Sequence, residues 1–239
     1  MNPEKYNPKD ILKGYARNSV SGERNLGGGR ITVFPSKEHW DKSWRDGQTT
    51  LLTFDGPSRE EVNARVTQKV LEMGRKYGIE FWLADDTYEM HSSLTFIYPG
   101  HDITDKERTD LYKKIEADPE TKAVLERMSG PIKLDFKYLL INGNNITLNA
   151  VEIPESIVSF RRSMGRILAK YNLPVIHTLE NFLHITIARI KKLPTENYEE
   201  RMKQFRKELR ALRHEISKNP IQLETTGKIF MGTNPLEIP

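Results

Sequence analysis

Two short segments of this chain carry the same pattern of residues able to move protons at a phosphate. One is His91-Ser92-Ser93-Leu94 and the other is His184-Ile185-Thr186-Ile187, with the two histidines 93 residues apart. Each reads histidine, any residue, hydroxyl, apolar, and each lies in a run with the alternation of a β-strand. Side chains two apart on a strand share a face. His91 and Ser93 therefore point one way, and Ser92, Leu94 and Phe96 the other. His184 and Thr186 share a face opposite Leu183, Ile185 and Ile187. Phosphodiester chemistry needs one imidazole to take a proton from the attacking oxygen and another to give one to the leaving oxygen. Two hydroxyls beside them can hydrogen-bond the phosphoryl oxygens.

The pair resembles the signature of the 2H phosphoesterases, a superfamily with two H-x-(T/S)-x motifs that includes the 2′-5′ RNA ligases and RNA cyclic phosphodiesterases. The resemblance runs over about residues 48–230. It implies an α+β fold of two lobes, with two antiparallel sheets facing a central groove and helices outside. It also implies a phosphodiesterase that needs no metal or other cofactor, with His91 and His184 catalytic and Ser93 and Thr186 on the substrate phosphate. The implied partner is RNA or a small nucleotide, bearing a 2′,3′-cyclic phosphate end or a 2′-5′ linkage. Which histidine is acid and which is base stays open. Two alternatives remain: a nuclease for cyclic oligonucleotide signals, and a weakly active module that binds RNA ends.

Arg189, Tyr98 and Tyr138 are candidate substrate contacts. Simple alternation puts Arg189 on the face opposite His184 and Thr186, and a bulge or the strand end would turn it back. The tyrosines could stack on a base. No zincin-type pair of histidines at i and i+4 is present, and Asp85, Asp86 and Asp102 near the first motif fit turns and loops. His39, His101, His177 and His214 read as surface or local hydrogen-bonding residues. Lys191 to Lys218 holds nine Lys or Arg against five Glu, the composition of a solvated helix face. Arg161, Arg162 and Arg166 on the preceding helix read the same way.

The chain has 239 residues, 37% of them hydrophobic and 29% charged, no cysteine and a net charge of +4. These values fit a soluble protein with a sizeable core, no disulfides and a mild preference for anionic partners. No apolar run is long enough to span a membrane, and Met1-Asn2-Pro3-Glu4-Lys5 lacks the apolar core of a signal peptide. A cytoplasmic monomer is the expectation.

Residues 1–47 read as an N-terminal extension packed on a main domain of residues 48–239. Within the extension, Ile31–Phe34 suggests a strand, Trp40 and Trp44 a helical face, and Gly27-Gly28-Gly29 a turn. From Thr49 the elements sharpen: strand, helix, strand and motif strand before residue 100, then hairpin, helix and motif strand after 130. The first long helix is expected to open with a capping box of Ser58 and Glu61, to bury Val62, Val66, Val70, Met73 and Tyr77, and to stop at Gly78. A second capping box pairs Thr104 with Glu107. A charged helix from about Thr195 to Ser217 and a closing strand near Ile221–Phe230 end the pattern. A two-fold relation between the halves would bring the motif strands to one cleft.

Overall fold

The computed structural model describes Arg17, residues 20–29, Val33, and residues 48–83, 90–99, 103–173 and 182–232. Of the strand expected at residues 31–34 only Val33 is described, in no regular element, and Trp40, Trp44, His39, Asp85, Asp86, His101, Asp102 and His177 lie outside the described residues. No described helix is long and apolar enough to cross a membrane.

Strand β1 (Gln48–Phe54) leads into α1 (Gly56–Val62), a wider turn at Asn63–Thr67, and α2 (Gln68–Tyr77). Asp55, rather than Ser58, caps this helix, accepting the Ser58 N–H at 2.8 Å. The helix begins three residues earlier than the capping-box pattern suggests because Pro57 fits its first turn. Val62, Val66, Val70, Met73 and Tyr77 are all buried. Gly78 ends the helix at a φ of 71°, in the left-handed region that costs glycine nothing.

There follow β2 (Glu80–Leu83), β3 (His91–Ile97), α3 (Asp105–Ala117) and α4 (Pro119–Arg127). The Thr104–Glu107 capping box is complete, and Asp118 caps α4 with proline behind it. The hairpin of β4 (Lys133–Asn142) and β5 (Asn145–Ala150) turns at Gly143-Asn144. Then come α5 (Glu155–Lys170), β6 (His184–Lys192), α6 (Tyr198–Lys218) and β7 (Ile221–Gly232).

The fold is α+β, and the strands of the two expected sheets are joined into one. Its order is β2-β6-β3-β1-β7-β4-β5, and β5 also pairs with β6. Six antiparallel strands therefore close into a ring, with β2 appended to β6. Residues opposite each other across a strand pair share a face, so the register divides the ring cleanly. Leu52, Phe54, Phe136, Leu139, Ile141, Ile146, Leu148, Ile185 and Ala188 form one apolar face. Helix residues Val66, Val70, Phe160, Met164, Phe205 and Leu209 pack on it. A six-stranded ring has no room for helices inside, so that is the outer face, and the opposite one lines the interior.

The topology is two-fold symmetric. β4-β5-β6 matches β7-β1-β3, with the axis passing between β6 and β3 at one end of the ring and between β7 and β4 at the other. Of the preceding segment, Leu26 is fully buried, and Glu23 meets Arg210 Nε and Arg213 Nη2 on α6, each at 2.9 Å.

Candidate active site

Strands β3 and β6 lie side by side. Among the described residues one pair bridges them, Ser92 opposite Ile185. In an antiparallel pair the register steps in opposite directions, so one residue either way sets His91 opposite Thr186 and Ser93 opposite His184. Each histidine thus lies across from the hydroxyl-bearing residue of the other motif, and the two histidines are diagonal neighbours. Ser92, Leu94, Ile185 and Ile187 are buried, whereas His91, Ser93, His184 and Thr186 are half-buried on the interior face.

Both strands bulge at the same place. On β3 the register against β1 runs Ser93 to Leu51 and then Thr95 to Thr50, which leaves Leu94 extra. On β6 the register against β5 runs Thr186 to Thr147 and then Ala188 to Ile146, which leaves Ile187 extra. Each bulge falls three residues after its histidine and inverts the alternation beyond it. Arg189, opposite Asn145, is thereby returned to the face of His184 and Thr186. Phe96, at the matching position of β3, lies opposite Thr49 on the face of His91 and Ser93, not with Leu94 as plain alternation implied. The two halves thus present the same imidazole and hydroxyl pairs, flanked by a cation on one side and an aromatic ring on the other.

Tyr98 stacks on Phe96, with ring centroids 6.2 Å apart and planes 15° from parallel. Tyr138 is opposite Asn149 on β5, and Asn149 is opposite His184. That row puts Tyr138 on the interior face two strands from His184, about 9–10 Å away. The Asn149 amide donates to the Tyr138 carbonyl at 3.0 Å and to the Thr147 hydroxyl at 3.0 Å, which fixes it beside the imidazole. On the other half, Thr53 is opposite His91 and its hydroxyl meets that of Thr226 at 2.8 Å. Neither histidine has a carboxylate for its cross-strand neighbour.

Burial, then the charges of His91, Arg161 and Arg189, push the His184 imidazole down from 6.5 to about 4. His184 is therefore neutral at pH 7, able to accept a proton, and close enough to His91 to feel its charge. Among the described residues there is no cluster of three or more His, Cys, Asp or Glu side chains suited to hold a metal ion.

The sequence reads Arg161 as part of a solvated helix face, but the structure buries it, 4% exposed, against β3 and the segment leading into β6. Its sequence position carried a signal. Ile157, Arg161, Met164 and Leu168 fall at helical spacing on one buried stripe. The basic residues of α6 and its approach are largely paired: Lys191 and Lys192 with Glu80, Arg210 and Arg213 with Glu23, and Lys203 with Glu200. They make a mixed surface rather than a basic patch.

No protein-family model and no curated protein matches the chain. Solved structures do resemble it. Kluyveromyces marxianus Usb1 is 15% identical with a TM-score of 0.45, over 78% of this chain and 97% of that one. The same protein with uridine monophosphate is 14% identical with a TM-score of 0.44, over 79% and 98%. The MHV ns2 PDE domain is 15% identical with a TM-score of 0.40, over 62% and 85%.

Proposed function

We propose that this protein is a 2H-type phosphodiesterase that acts without a metal on an RNA-type substrate, a 2′,3′-cyclic phosphate end or a 2′-5′ linkage. The observation that carries this reading is the Ser92–Ile185 bridge, whose antiparallel register sets each motif's histidine across from the other's hydroxyl. Such an arrangement surrounds one phosphoryl group with two proton-transfer groups and two hydrogen-bond donors. The catalytic unit begins at residue 48, with residues 1–47 as an extension packed upon it.

His184, neutral at pH 7, serves as the base, and His91 as imidazolium serves as the acid. With a cyclic phosphate, His184 takes a proton from water as its oxygen bonds to phosphorus. The bond to one ribose oxygen breaks, and His91 protonates that oxygen, leaving a phosphomonoester. With a linear linkage next to a free hydroxyl, that hydroxyl attacks in place of water and the product is a cyclic phosphate. Ser93 and Thr186 donate hydrogen bonds to the non-bridging oxygens, and the Arg189 guanidinium meets their negative charge. Tyr98 on Phe96, and Tyr138 on the far side, offer rings to a base.

Incubation of purified, chelator-treated protein with 2′,3′-cyclic-phosphate-ended RNA, 2′-5′-linked dinucleotides and cyclic oligonucleotides tests the reading, with products resolved by mass spectrometry. Turnover of either of the first two supports it. Turnover of cyclic oligonucleotides alone points to the signal-nuclease alternative, and binding without turnover to the RNA-end module.

A further inference from the structure

We propose that Arg161 is a positioning residue of this site, a buried guanidinium that ties the first motif strand to the segment entering the second and sets how His91 and His184 face one another. This rests on the phosphodiesterase reading for its effect on turnover, but the tie itself is read from the geometry.

The backbone connection between the histidine strands is thin, a single bridged pair among the described residues. From α5, Arg161 reaches β3 and the segment leading into β6. Its Nε donates to the Leu94 carbonyl at 2.8 Å, and Nη2 donates to the Ser93 carbonyl at 3.3 Å and to the Phe182 carbonyl at 2.8 Å. Leu94 is the extra residue of the β3 bulge, and such a residue has no ladder partner of its own. Phe182 lies two residues before His184. One planar group thus fixes the bulge that re-aims β3 and the entry that aims β6.

Arginine is an unusual tenant of that stripe. Its neighbours Ile157, Met164 and Leu168 are apolar and buried, and a methionine of similar length would fill the space without desolvating a charge that cannot be neutralised. The guanidinium offers what methionine lacks, a fixed fork of donors able to span acceptors on two segments. Its charge also adds, with those of His91 and Arg189, to the burial that holds the His184 imidazole down.

Arg161→Met and Arg161→Lys, compared with the parent, test the proposal. Each is read by kcat and KM on the substrate the panel identifies, by NMR titration of the His184 ring without substrate, and by melting temperature. In Arg161→Met, kcat falls at least about 10-fold with KM within about 2-fold, and the His184 titration moves upward from its parental value. Arg161→Lys keeps the charge, so His184 stays low, but a single ammonium cannot bridge both segments and kcat stays reduced. A folded Arg161→Met with parental kcat and an unmoved His184 titration overturns the proposal. If Arg161→Met does not fold, Arg161→Lys decides: parental kcat overturns the positioning role, and reduced kcat with a low His184 supports it. Should the parent turn over no substrate in the panel, the phosphodiesterase reading fails, and NMR of Arg161→Lys, which keeps the charge, then decides the positioning role: ring shifts of His91 and His184 that match the parent overturn it, and altered ones support it.

Discussion

Ser92 and Ile185, one polar and one apolar, sit opposite each other at the local two-fold axis that relates the two histidine strands. The same axis relates the bulges at Leu94 and Ile187. That axis sets the motif side chains in crossed pairs, His91 across from Thr186 and His184 across from Ser93, rather than within their own motifs.

Crossed pairing is measurable. His91→Ala and His184→Ala should each lower kcat by about 10²–10⁴-fold. Ser93→Ala and Thr186→Ala should cost less, about 1.5–3 kcal/mol each, the worth of a hydrogen bond to a charged group. Double-mutant cycles should give a larger coupling energy for Ser93 with His184 than for Ser93 with His91. Equal couplings, or a stronger one within each motif, would contradict the register drawn from the single bridge.

The depressed His184 imidazole links pH to stability. Between about pH 4 and 6.5 the unfolded chain binds a proton that the fold excludes. Stability therefore declines as pH falls through that window, by at most about 3 kcal/mol. His184→Gln should remove this component. Urea melts of parent and variant at pH 4.5 and pH 7 should show the parent losing more stability on acidification than the variant does.

Ser92 offers a test of the fold apart from chemistry. Its hydroxyl is fully buried and makes no hydrogen bond among the described residues, whereas Ile185 fills the equivalent place with hydrocarbon. Removing an unsatisfied buried hydroxyl relieves a desolvation penalty. Ser92→Ala should leave the melting temperature unchanged or raise it, with turnover near parental. A loss of several degrees would show that the hydroxyl has a partner in solution.

Arg189 should behave as a charge on the substrate. Arg189→Ala should raise KM about 10-fold or more and move the His184 titration upward, because one of the three positive groups holding it down is gone. Arg189→Lys should recover most of the KM. With hydroxyls, an imidazolium and this guanidinium meeting the phosphoryl charge, activity should persist in EDTA. Loss on chelation with recovery on adding zinc or manganese would refute the metal-free mechanism.

Much of this was legible in the sequence, and the failures share a cause. Local patterns placed nearly every strand and helix to within a few residues, because hydrophobic period, caps and turn residues act at short range. Alternation holds through Leu94 and Ile187 and then inverts, since the bulges are imposed by pairing with β1 and β5, strands distant in sequence. A trace of the second one was visible: buried apolar positions run Leu183, Ile185, Ile187 and then shift to Ala188, Ile190. That shift alone would have placed Arg189 on the histidine face. The contact of β3 with β6 joins residues 93 apart, and no local signal reports it. Arg161 was misplaced because a charge usually marks a solvated position, although its place in the apolar stripe argued otherwise.

The closing strand has a consequence for timing. β7 pairs with β4 through Ile221–Glu224 and with β1 through Thr225–Gly232, up to a partner as remote as Thr49. Both histidines leave the ribosome well before this strand does, and until it arrives β1 and β4 each present an unsatisfied edge. Contacts of such sequence separation form late and slowly. The nascent chain therefore carries its complete set of reactive side chains for many residues of synthesis without a closed ring to hold them in register, and its exposed strand edges make that interval the one in which a chaperone matters most.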